Sequence, residues 1–190
     1  MNKKKEVIYE KELFRWYEAY FSSLFNYGIQ ITSNKDFIRD CIQEIFIHLK
    51  LNYQLVADIR KPKVYLYTSL RNKIIQELKK ENRLISVDLI NGNFEIELPF
   101  ESELISQQTL IEYQAQLTKS LNKLTFRQKE AIFLKFYEEL SYQEVAQTMQ
   151  LQDVKSARNL VYKAINELKK DFKLSGISIL ATTIFLLLSL

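Results

Sequence analysis

Five polar side chains near the C-terminal end stand at helical spacing and suit contact with nucleic acid: Lys155, Arg158, Asn159, Tyr162 and Lys163. Between them run Val154, Ala157, Val161, Ala164, Ile165 and Leu168, a regular apolar stripe that a helix would bury, leaving the polar set outside. Arg158 is the best candidate for reading a base, because a guanidinium presents paired donors that match the O6 and N7 acceptors of guanine in a major groove. Lys155, Ser156 and Lys163 suit phosphate, a contact that positions a protein on a duplex without reading its sequence. A basic helix face on its own is more often merely solvated, so the case depends on what precedes it.

A second set lies in residues 60–83, where eight Lys or Arg face only Glu77 and Glu81, a net +6. Tyr65 and Tyr67 fall inside it. An aromatic ring among cations can stack on an unpaired base, although core packing explains Tyr65 and Tyr67 equally well. A third set, Asp40, Gln43, Glu44 and Ile47, shares one helix face, and an acidic and amide patch beside an apolar side chain suits a protein partner rather than DNA, or simply solvent.

Other chemistries lack their parts. His48 is the only histidine and stands at a polar helix position; no glycine-rich phosphate loop is present, and no nucleophile can be paired with a base. Cys41 is the only cysteine, so the chain can form neither an internal disulfide nor a cysteine zinc site. The reading is therefore not an enzyme, with no metal and no cofactor. A single thiol and a charged start, Met1 to Glu12, without an apolar segment, fit a cytoplasmic protein.

The elements that would hold these residues are helices, since three Gly and two Pro in 190 residues leave little turn chemistry for a many-stranded sheet. Phe14, Tyr17, Phe21, Leu24, Phe25 and Ile29 predict a first helix over 10–31. Ser33 and Asp36 resemble a cap, and Ile38, Ile42, Ile45, Phe46 and Leu49 predict a second helix. Pro62 starts a third, with Leu66, Leu70, Ile74 and Leu78 on one face, ending near Arg83. A stripe from Leu110 to Leu121 predicts a fourth. Thr125 with Gln128 and Ser141 with Glu144 are capping boxes opening a fifth helix, to about Glu139, and a short sixth. A last helix runs over about 153–172.

The short capped helix, a tight turn and a longer basic helix together have the layout of a helix-turn-helix, with Ala146 small where the two helices would cross. At Gln150, often glycine in such turns, a left-handed backbone would cost about 1 kcal/mol.

Between the basic segment and this motif, residues 84–113 carry Asp88, Glu95, Glu97, Glu101, Glu103 and Glu112 and no basic residue, a net −6, with Gly92 and Pro99 inside. The division that follows is a helical domain over 8–83, an acidic linker over 84–109, a helix-turn-helix domain over 110–173 and a tail over 174–190. The fold class is all-α. The tail, ending ISILATTIFLLLSL, is uncharged over seventeen residues and diluted by Ser and Thr. A membrane anchor, a helix packed on a domain and a partner-binding segment all fit it.

With these residues in view, the chain resembles the extracytoplasmic-function sigma factors. LTFRQKEAIFLKFYEELSYQEVAQTMQLQDVKSARNLVYKAINELKK, from Leu124 to Lys170, is similar to that family's promoter-reading domain four. RDCIQEIFIHLK (39–50) is similar to its core-polymerase-binding segment, and YLYTSLRNKIIQELKK (65–80) to its promoter-melting helix. The resemblance implies that Asp40, Gln43, Glu44 and Ile47 contact core RNA polymerase. It also implies that Tyr65, Arg71 and Asn72 meet the −10 element, with Tyr65 where the family often has Trp, and that the last helix reads the −35 element. Promoter DNA and core polymerase are the implied partners, an anti-sigma factor a further one, and the acidic linker would lie in a cationic channel of polymerase. A helix-turn-helix regulator that does not bind polymerase fits the C-terminal part alone; residues 39–80 discriminate between the two.

Overall fold

The computed structural model describes residues 3–81 and 118–173, and within them every regular element is helical. The acidic linker, the tail and most of the helix expected over 110–121 lie outside the described residues; 118–122 is helical. The chain divides into two compact units.

The first unit is built from α1 (Lys3–Ile31), α2 (Lys35–Leu51), α3 (Tyr53–Asp58) and α4 (Pro62–Glu81). α1, α2 and α4 pack on one another, and their meeting faces bury Leu24, Tyr27 and Ile31 with Ile38, Ile42 and Leu49 and with Leu66, Tyr67, Leu70 and Ile74. The rings of Tyr27 and Tyr67 meet at 5.1 Å, so Tyr67 is a core residue.

Three expectations are corrected here. The buried face of α1 is Leu13, Trp16, Leu24, Tyr27 and Ile31, whereas Phe14 is 60% exposed and Tyr17 lies at the surface. The helix carries aromatics around most of its girth, so two stripes satisfy the same 3.6-residue period. Tyr17, Phe21 and Phe25 instead form a half-covered aromatic column beside α2. Tyr17 meets Phe46 edge-on at 5.1 Å, and the Arg39 guanidinium lies 5.2 Å from the Phe25 ring. The cap of α2 is Asn34, not Ser33: its extended backbone lets the side chain accept the Phe37 N–H at 3.1 Å. Finally, the stretch 52–60, where the sequence predicts no helix, contains the short helix α3, whose Val56 is buried and which packs on α1 and α2.

Gly28 marks the closest approach of α1 to α2. A Cβ built there would lie 2.5 Å from Ile38 Cγ2 and 3.2 Å from Cγ1, and Ile38 is fully buried and stiff at χ1. Alanine would gain about 1 kcal/mol of helix propensity, but overpacking costs about 1–3 kcal/mol and the clash is severe. Gly28→Ala is therefore expected to destabilise this unit by roughly 1–2 kcal/mol. Denaturation followed by Trp16, the single tryptophan and a buried one, measures it; an unchanged midpoint would contradict the close crossing.

The second unit comprises α5 (Phe126–Ile132), which widens into a π-turn over Phe133–Tyr137, then α6 (Tyr142–Thr148) and α7 (Val154–Lys173). The Thr125–Gln128 box forms as the sequence predicts, Thr125 Oγ1 accepting the Gln128 N–H and Gln128 Oε1 accepting the Thr125 N–H at 2.9 Å. Ser141 and Glu144 make the same reciprocal pair. α5 packs against α7, whose buried stripe is Ala157, Val161, Ala164 and Leu168. The π-turn was not legible in the sequence. It ends with the Glu138 N–H on the Phe133 carbonyl and Glu139 at φ 53°, and burial pushes the Tyr137 phenol well up.

Candidate nucleic-acid interface

α7 starts at Asp153, whose carboxylate accepts the Ser156 N–H at 2.7 Å and is also hydrogen-bonded by the Ser156 side chain. These bonds hold the Asp153 carboxyl below its usual range, so the cap is present at neutral pH and is lost only as pH falls through that lowered value. Ser156, expected on phosphate, is half-buried beside this cap. Lys155, Arg158, Asn159, Tyr162 and Lys163 are all exposed on one side of α7, Tyr162 by 66%.

Before α7 the chain turns through Gln150, whose φ is 52°. The Leu151 N–H reaches the Ala146 carbonyl at 2.9 Å and the Gln150 N–H the Gln147 carbonyl at 3.2 Å, which is the paired pattern of a Schellman C-cap. The left-handed residue is the one the sequence singled out. Gln150→Gly is expected to stabilise the protein by about 1 kcal/mol by removing the Cβ penalty; a thermal melt showing no gain would mean that the Gln side chain offsets the strain.

Arg158 does not stand alone. Its guanidinium lies over the Tyr142 ring at 5.6 Å, and Lys135 Nζ lies over the same ring at 5.2 Å while donating to the Leu140 carbonyl at 3.1 Å. Neither Tyr142 nor Lys135 was singled out from the sequence. They stand seven residues apart, and only the π-turn and the Ser141 cap bring them together.

In the first unit, Asp40, Gln43, Glu44 and Ile47 are exposed on the outer face of α2, opposite its buried stripe. Glu44 forms an ion pair with Lys73 of α4, and the hydrogen bond to Glu44 raises the Lys73 pKa. Beneath this face Cys41 is buried, and desolvation raises its thiol to about 11. Tyr65 and Asn72 are half-buried on α4, with exposed Arg60 and Lys61 near its start. Arg71 departs from expectation: it is 3% exposed. Its position, four residues after Tyr67 and three before Ile74, turns it to the packed side of α4. Among the described residues no helix is long and apolar enough to cross a membrane.

Comparison with known proteins gives the same two parts in the same order. The model of Sigma-70 region 2 matches residues 16–84 and that of Sigma-70 region 4 matches residues 114–168. The chain is 23% identical over 155 residues to the ECF RNA polymerase sigma factor SigM of Bacillus subtilis, covering 80% of this chain and 90% of that one. It is 19% identical over 160 residues to SigX of the same organism, covering 83% and 82%. The sigma factor RpoE of Bartonella quintana, solved in complex with the anti-sigma factor NepR, shares the fold with a TM-score of 0.58 at 21% identity, over 86% of this chain and 98% of that one. With region 2 on the α1–α4 unit and region 4 on the helix-turn-helix unit, the chain belongs to the sigma-70 family, as an extracytoplasmic-function sigma factor that directs RNA polymerase to promoters.

Proposed function

We propose a division of labour between the two units. The outer face of α2, through Asp40, Gln43, Glu44 and Ile47, docks on core RNA polymerase. α4 meets the −10 element through Tyr65 and Asn72, with Arg71 holding the helix from within. α7 enters the major groove of the −35 element, where Arg158 reads a base edge, Asn159 and Tyr162 add contacts, and Lys155 and Lys163 bind phosphate. Domain two then spans about 8–83 and domain four 110–173. The 84–109 linker, its like charges repelling one another, bridges them through a cationic channel of polymerase.

The observation that carries this reading is the pairing in one chain of an acidic, amide-rich helix face with a separate basic one. A regulator lacking polymerase contact has no use for the first. The protein is accordingly a cytoplasmic initiation factor rather than an enzyme, and an anti-sigma factor, as NepR is in its complex with RpoE, is a natural partner. The test is core binding by the doubly substituted Asp40→Arg, Ile47→Ser protein. Ile47 is 55% exposed, so folding is unaffected, while affinity for core is expected to fall roughly tenfold or more, as at an interface hot spot. Undiminished core binding would refute the α2 surface.

A further inference from the structure

The Lys135–Tyr142–Arg158 cluster carries an inference that rests on Arg158 contacting DNA and goes beyond it. Among the described residues, neither Lys135 nor Arg158 is in an ion pair with a carboxylate. Both cations instead meet one aromatic ring, at 5.2 and 5.6 Å. A salt bridge would steer Arg158 but occupy the donors needed for a base. A ring attracts the guanidinium through its face and leaves its N–H edge free. Lys135 is in turn fixed by the Leu140 carbonyl at 3.1 Å, at the end of the π-turn.

We propose that Tyr142 is a positioning residue for promoter discrimination: its ring pre-orients Arg158 for a bidentate base contact. Lys135, converging on the same ring, supplies positive charge for a neighbouring phosphate. Ordering a long arginine before binding reduces the rotamer entropy lost on docking, so the gain appears as discrimination at the base pair that Arg158 reads.

The experiment is a double-mutant cycle in full-length protein with core polymerase. Open-complex formation is scored on promoters in which each −35 base pair is varied, at positions 142 and 158. Tyr142→Phe, which keeps the ring, is expected to behave as the parent. Tyr142→Leu is expected to lose about 2–5-fold of discrimination, as for an exposed cation–π contact, at one base pair and only while Arg158 is present. Tyr142→Met serves as a second aliphatic variant should Leu fail to fold. An equal loss in the Arg158→Ala background, or a loss spread over all base pairs, overturns the positioning role. If Arg158→Ala itself changes nothing, the underlying assignment of Arg158 fails instead.

Discussion

Arg158→Ala is expected to lower transcription from a cognate promoter by roughly 5- to 150-fold, the range corresponding to one bidentate arginine–guanine contact of about 1–3 kcal/mol. The side chain is exposed and lies outside the buried stripe of Ala157, Val161, Ala164 and Leu168, so its truncation removes a contact without opening the core. The loss should therefore concentrate at one −35 base pair and leave core binding intact. Lys155→Ala or Lys163→Ala should instead weaken DNA binding about equally across sequences and flatten its salt dependence, since a phosphate contact carries no sequence information. A uniform loss for Arg158→Ala would make it another phosphate contact.

The other large effect concerns stability. Ile74 is fully buried on α4, the helix that packs against both α1 and α2. Ile74→Ala is expected to destabilise region 2 by about 2–5 kcal/mol through lost burial and a residual cavity, read from Trp16 fluorescence during denaturation. Both proposed surfaces depend on this packing, because α4 carries Tyr65 and Asn72 while α2 carries Asp40, Gln43 and Ile47. Arg71→Ala belongs with it: removing a buried, partnered guanidinium is expected to cost about 1–3 kcal/mol, so lost transcription there reports a loosened domain rather than a missing DNA contact. A Trp16 transition left in place by Ile74→Ala would contradict the core described.

What could be read from the sequence was what short range decides. The Thr125 and Ser141 boxes each pair residues three apart, and the turn at Gln150 is closed by bonds reaching back at most five residues, so local chemistry sufficed for them. The strict stripe on α7 left a single way to orient that helix, which made its exposed set legible. α1 failed the same test because its aromatics offer two faces, and only packing against α2 and α4 chooses between them. The burial of Arg71 was foreshadowed by its spacing from Tyr67 and Ile74, whereas its assignment to DNA came from the family resemblance alone. Tyr142 had no signal at all: its role depends on Arg158, sixteen residues on, and on a π-turn that no local pattern announced.

The central claim, one chain that both docks on polymerase and selects promoters, is tested most directly by run-off transcription with purified core polymerase on genomic DNA fragments. Transcripts starting at discrete sites are expected, strongly reduced by Arg158→Ala and by the paired Asp40→Arg, Ile47→Ser substitution. Salt-sensitive DNA binding by the protein alone, with no core binding and no transcripts, would contradict it.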